Sequence, residues 1–459
     1  MTGVRLAAIV VAAAGQTAAA DPSPPATAAT VADAPRPGEE SGRADEVDPG
    51  DSTARVAARG ALFVPKVAID VVLSPLRGLL WANDRYKLEE LYWRVFFNDA
   101  RTIGLYPTAT FQTGFGLNAG GRFVDRDLFG AREHLGLQAT YGGHYHAGAS
   151  ASVHTGKRLG DRLALQLDAD WERHPNEPFY GIGNGNMITL PAMPVDPRTD
   201  PLAVETRYRT QIVRAAATAD LRLVDGFLVR TTGAVTDLEF SRSDTDPVDA
   251  VYDTTGLVGF DGVRHLYSEV EVRWDERRRV TSWEPRAVYA AGWLVTGFAG
   301  QVHRLDGGPD FWRYGAEAQQ FLRLDRGPRV LALRFHAEAV SGSRDEVPFS
   351  ELPQLGGASF LRGYNVGRFR DRVAAVGSLE YGWDLSHYMD ASVFIDAGRV
   401  YPSLADVSLD QLRCGFGVAL QLHSDQHFLV EGSLASSIDG GVYLSVSFNP
   451  VFDSHVRWR

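Results

Sequence analysis

The sequence predicts an all-β membrane protein: an antiparallel transmembrane β-barrel of about sixteen strands, preceded by a short helical segment. Three observations lead there. From about Leu105 onward the chain is a succession of segments that alternate apolar and polar residues with period two. Within each segment the apolar face persists for about ten residues, the length a tilted strand needs to cross hydrocarbon. Short turns alternate with long connections along the chain, as in barrels of the outer-membrane type.

Composition removes the other membrane architecture. Hydrophobic residues make up 44% of the 459 residues, too few for a bundle of membrane helices. The longest apolar stretch, Leu62 to Leu80, is broken by Pro65, Lys66, Asp70, Pro75 and Arg77, so it falls short of a spanning helix. A net charge of −11 without a basic stripe excludes nucleic acid as a partner. The single cysteine, Cys414, has no intramolecular disulfide partner.

Residues 1–20 have the three parts of a signal peptide in order: Arg5, an apolar core from Leu6 to Gly15, and Ala18-Ala19-Ala20 before Asp21. Residues 21–60, rich in Pro, Ala, Asp, Glu and Gly, have little to bury and are expected to form a disordered tether. In 61–100, Val67, Val71 and Val72, then Leu88, Leu91, Tyr92 and Val95, recur at helical spacing, with Pro75 dividing two short amphipathic helices. This segment could pack on the barrel mouth, plug the bore, lie on a leaflet or meet a periplasmic partner; packing on the mouth is the simplest expectation.

The barrel is expected over 101–459. In the segment 162–172, Leu163, Leu165, Leu167, Ala169 and Trp171 share one face, and Arg162, Gln166, Asp168, Asp170 and Glu172 share the other. The segment 330–340 repeats the split, with Leu331, Leu333 and Phe335 opposite Arg334, His336 and Glu338. A lipid-facing charge at mid-depth costs roughly 2–4 kcal/mol, so the charged faces must point into the bore. A soluble barrel would reverse the faces, and alternation alone does not tell inside from outside. The segment number does, being too large for a small soluble barrel. Trp171, Trp274, Trp312 and Trp383 are candidate interface-girdle residues. Turns at 224–226, 325–328, 385–387 and 424–426 alternate with long connections at 174–203, 242–262, 342–370 and 400–410. An even strand number returns both termini to one side, expected to be the periplasm of a bacterial cell whose outer membrane holds the barrel and supplies its lipid partners.

The last-but-one long connection contains Leu361-Arg362-Gly363-Tyr364, with about eleven segments before it and about five after. Leu128-Phe129-Gly130, the Gly-aromatic run 179–184, and Phe394-Ile395-Asp396-Ala397-Gly398 accompany it. In these motifs, over roughly 101–459, the chain resembles the BamA/TamA-like outer-membrane barrels, the bacterial surface antigen family. That family carries an Arg-Gly-aromatic tip in its sixth external loop, folded back into the lumen. The resemblance implies assembly or translocation of client outer-membrane or secreted polypeptides. It is a resemblance to a barrel-only member, since the tether and short helices leave no room for the polypeptide-transport-associated domains that capture clients.

Residue chemistry fits a lumen latch. Arg362 has a permanent charge on a planar fork suited to carboxylates. Glu380 shares its face with Ser378 and Asp384, and Asp396 shares its face with Ser392 and Phe394, so both carboxylates are expected to meet Arg362 in the bore. Gly363 permits the tight tip, and Tyr364 is expected to pack on the wall. The first strand, about Tyr106 to Gly114, is rich in Thr and Gly, while the last shows Val442, Leu444, Val446 and Phe448 on one face, a pattern suited to a weak seam.

Catalytic constellations are missing from the sequence: no nucleophile elbow, phosphate-binding loop or His-Glu-x-x-His run occurs, so no enzyme activity and no cofactor is expected. His144 and His146 share a face but lack a third ligand, so no metal site is expected either. Arg277-Arg278-Arg279 is expected in a turn near headgroups. The competing function is a passive channel or a structural membrane component without insertase activity.

Overall fold

A computed structural model describes residues 93–447, apart from 113–115, 144–145, 199–201, 278–290, 325–328, 387–388 and 424–427. The leader, the tether and residues 61–92 of the helical segment lie outside the described residues. Residues 93–101 belong to a unit of their own. They contain one helical turn at 93–96, where the Phe97 N–H donates to the Trp93 carbonyl at 3.1 Å and Arg101 lies 5.3 Å over the Trp93 ring.

From Ile103 the chain is strand after strand. The elements are β1 Ile103–Gln112, β2 Gly116–Asp125, β3 His134–Tyr141, β4 Ala147–His154, β5 Leu163–Phe179 and β6 Thr206–Val224. They continue as β7 Phe227–Arg242, β8 Val263–Asp275, β9 Gly292–Arg304, β10 Phe311–Arg323 and β11 Arg329–Val340. A two-residue pair, β12 Gln354–Leu355 and β13 Phe369–Arg370, sits within the next connection. The ring resumes with β14 Val373–Ser386, β15 Met389–Tyr401, β16 Arg413–His423, β17 Phe428–Ser437 and β18 Val442–Ser447.

Sixteen of these strands form one closed antiparallel ring, each beside its sequence neighbour and β11 beside β14. Closure satisfies backbone groups sideways, which hydrocarbon demands of any spanning sheet. Among the described residues, the ring closes between β1 and β18 at the pair Gln112↔Ser445, while β1 and β2 share ten pairs. Among the described residues no helix is long and apolar enough to cross a membrane.

Connections sort by end. At one end, the turn end, β6 and β7 are joined by Asp225-Gly226 alone, with Gly226 at φ +78°, the Asp-Gly hairpin that a two-residue turn favours. At the other, the loop end, lie the connections 180–205, 243–262 and 341–372. The first begins later than the expected 174. β5 and β6 run 17 and 19 residues, well beyond a hydrocarbon span, and a register irregularity between His174 and Glu177 carries β5 on to Phe179. These extensions support a lid of side chains from all three loops. In it, Phe179 lies 5.2 Å from Tyr252 and 5.8 Å from Phe349, ring centre to ring centre.

Leu167 is 59% exposed and Phe335 54%, while Asp168, Asp170, Arg334 and Glu380 are buried. Apolar side chains therefore face outward to lipid and charged ones inward. Exposed Trp274 and Trp293 lie toward the turn end, and exposed Trp312 toward the loop end. Trp293 belongs to this outward set and was not singled out by the sequence pattern. Arg277 departs from expectation: it turns back into the ring, pairing with Asp275 at 2.7 Å and donating to Gln319 at 3.2 Å. Its neighbours Arg278 and Arg279 lie outside the described residues.

Candidate functional site

The loop 341–372 does not stay outside the ring. Its tip descends into the bore and crosses it from the wall made by β10 and β11 to that made by β16 and β17. On the first wall, Arg334 binds Glu317 through two bonds of 3.0 and 2.9 Å and donates to the Ser359 carbonyl at 3.1 Å. Phe360 of the tip covers Arg334, 4.5 Å from its guanidinium carbon, and lies 4.4 Å from the His336 ring.

Arg362 follows. Its backbone N–H and Nε both donate to Asp396 Oδ2 at 2.8 Å, Nη2 donates to Asp396 Oδ1 at 2.8 Å, and Nη1 donates to Glu380 Oε2 at 2.9 Å. All three side chains are nearly devoid of solvent, at 2%, 1% and 1% exposure. The fork matches one carboxylate edge-on and spends its remaining amine on the other, which a lysine ammonium could not do with the same geometry. Strand alternation explains the placement: Asp396 on β15 and Glu380 on β14 both point inward, two residues offset in register, since Glu380 pairs with Phe394. Phe394, two residues before Asp396 on the same face, supports the guanidinium from below at 3.5 Å.

Gly363 has φ +96°, and a Cβ there would lie 2.3 Å from the Ser436 carbonyl oxygen. Across the contact, a Cβ on Gly415 would lie 1.6 Å from the Arg362 carbonyl oxygen. Two bare backbones thus meet where the tip touches β16 and β17. Tyr364 then donates its hydroxyl to Asp439 Oδ2 at 2.9 Å. Burial, with the Asp439 charge beside it, pushes that phenol above its ordinary range.

The loop 180–205 secures the stem. Asn184 exchanges two bonds with the backbone of Val400, at 2.6 and 3.2 Å, and the Gly183 N–H donates to the Arg370 carbonyl at 2.7 Å. Asn365 donates to the Tyr180 hydroxyl at 2.7 Å, and Arg368 to the Gly185 carbonyl at 2.7 Å. Burial lowers the Arg368 guanidinium from its usual value. Outside the ring wall, the Arg198 guanidinium holds the Asp196 carboxyl below the usual range.

The structure brings together all five residues of the motif-based set: Arg362, Gly363, Tyr364, Glu380 and Asp396. Sequence reasoning placed Phe394 on the right face without giving it a role, and it missed Gly415 and Asp439. Nothing in a single sequence flags a glycine whose partner backbone is fifty residues away. His144 lies outside the described residues, but His146 sits beside Glu172 and His174 of β5, a grouping able to hold a metal ion. Glu172 and His174 reach His146 from the neighbouring strand, across the register Gly148↔Glu172.

Residues 286–436, from just before β9 into β17 and including the loop tip, match the Omp85 superfamily domain. No curated protein matches the sequence. Among solved structures, BamA from Haemophilus ducreyi lacking POTRA domains 1–3 superposes with TM-score 0.54 at 15% identity, covering 75% of this chain and 69% of that one. CdiB from Escherichia coli gives TM-score 0.47 at 13% identity, covering 75% of this chain and 62% of that one. CdiB from Acinetobacter baumannii gives 0.44 at 9%, covering 74% and 58%. Residues 286–436 thus match the Omp85 superfamily domain, and the sixteen-stranded ring shares the barrel fold of BamA.

Proposed function

We propose that this barrel sits in a bacterial outer membrane and assembles client polypeptides there through the seam between β1 and β18, while Arg362 latches the loop 341–372 inside the bore. The observation that carries the reading is a contrast of strengths. The bore is crossed by a loop tied to both walls, and among the described residues the ring is joined at β1 and β18 by one residue pair. A route for a polypeptide strand is therefore sideways, by pairing with exposed backbone edges when the seam parts. Depletion in the native bacterium tests it. Other outer-membrane barrels should then accumulate unassembled, whereas normal levels of every other barrel would end the assembly reading.

A passive channel is the competing function, and the charged wall speaks for it. Against it stands the tip that crosses the bore from Ser359 to Tyr364. Purified protein in planar bilayers should accordingly show small or intermittent conductance; a large, steady open state would favour the pore instead.

A further inference from the structure

We propose that His146, Glu172 and His174 form a binding site for a divalent transition metal of the Zn²⁺ class on the inner wall of the barrel near its loop end. One ligand atom from each residue lies within 4.8 Å of the others, and none of the three takes part in holding the loop 341–372. The site is built by register. Gly148 pairs with Glu172 across β4 and β5, so His146, two residues before Gly148, faces His174, two residues beyond Glu172. The two imidazole rings lie 4.8 Å apart at 70°. His174 Nε2 is 3.1 Å from Glu172 Oε2, close to the edge of about 3.4 Å between ligands of a tetrahedral ion with bonds near 2.1 Å. Two imidazoles and a carboxylate are the zinc set that leaves a fourth position open.

The surroundings orient the His146 ring. The Asn118 amide lies 2.7 Å from His146 Nδ1, which leaves Nε2 as the nitrogen for the ion. Turning that amide end for end, which its atom positions permit equally, lets Nδ1–H donate to the Asn118 oxygen, an atom with no other hydrogen-bond partner. His174 Nδ1 lies 3.6 Å from Glu177 Oε2, which places a second carboxylate behind the ring. Gly148 gives the His146 ring its place, because a Cβ there would lie 2.9 Å from the ring's Cε1. A bound ion would tie the connection before β4 to β5 and to β2.

The test uses the full chain purified in detergent without an oligohistidine tag, titrated with ZnCl₂ by calorimetry. One Zn²⁺ per chain is expected. Binding should vanish in the double variant His146→Asn/His174→Asn and weaken by about 10- to 100-fold in Asn118→Ala, which removes an orienting partner. Retained heat-modifiability identifies variants that fold. Independently of any variant, Co²⁺ added to the unsubstituted protein should give the intense visible bands of a low-symmetry site with imidazole nitrogens. No Zn²⁺ uptake, variants that bind as well as the parent, or the pale spectrum of aqueous Co²⁺ would each overturn the site, leaving three residues in an ordinary ion pair on the wall.

Discussion

The guanidinium of Arg362 lies flat over Phe394, 3.5 Å from the ring centre, while its edge is bound by Asp396 two residues further along β15. One strand face thus supplies both an acceptor and a π-platform to the same cation. Out of water such a contact contributes about 2 kcal/mol. Phe394→Leu should lower barrel stability by roughly that amount, read as a shift in the denaturant midpoint of the heat-modifiable form, with the hydrogen bonds to Asp396 intact. An unchanged midpoint would reduce the ring to filler.

Arg362→Ala should cost more, about 3–5 kcal/mol, because it strands two buried carboxylates rather than removing one contact. The loop 341–372 should become a protease site in intact cells. Arg362→Lys should fall between parent and alanine, since an ammonium lacks the fork that serves Asp396 and Glu380 together. Equal protease resistance in all three proteins would remove the latch.

Gly415→Ala probes the same seat without touching any charged group. The added methyl would lie 1.6 Å from the Arg362 carbonyl oxygen, so the tip must rise off β16. The variant should reproduce the loop release of Arg362→Ala, again read by proteolysis of 341–372. A tip that stays protected would mean that backbone contact at Gly415 plays no part in seating it.

The ring was legible in the sequence because its cause is local. Lipid on one side and a polar bore on the other impose period two, so Leu167 beside Asp168 already encodes outside and inside. Arg362, Glu380 and Asp396 were legible through motif and alternation. What stayed hidden depends on which strand lies beside which. Gly415 matters only because the tip lands there, and His146 gains Glu172 and His174 only through the β4–β5 register. Arg277 was misplaced for a related reason: a run of arginines reads as a solvated turn, yet Gln319 on β10 and Asp275 draw the first of them inward.

Acid should loosen the contact that Glu133 makes at the turn end. Glu133 Oε2 accepts the N–H groups of Phe129 and Ala131 at 3.2 and 3.0 Å, and Oε1 accepts from Arg158 beyond β4. Burial pushes this carboxyl up, but these three donors outweigh it and hold it at about 2, against an ordinary 4.5. A carboxyl lowered by folding stabilises fully above its unfolded value and loses that contribution as pH falls through the folded one. The stability gap between parent and Glu133→Gln should therefore be constant down to about pH 4.5 and close toward pH 2. A gap that persists at pH 2 would assign the effect to side-chain shape rather than charge.

The seam can be locked where it is thinnest. In a Cys414→Ser background, Gln112→Cys with Ser445→Cys places cysteines at the pair that joins β1 and β18 among the described residues. If clients enter sideways, oxidation should abolish rescue of a depleted strain and a reductant should restore it. A second bridge between Ala419→Cys and Ser433→Cys, paired across β16 and β17, controls for oxidation itself and should leave rescue intact. Full rescue by the seam-locked barrel would exclude lateral opening while leaving the fold and the bound loop untouched, because neither depends on β1 parting from β18. Loss of rescue with both bridges would point to general rigidity instead. Loss with the seam bridge alone would tie activity to the weakest joint in the ring.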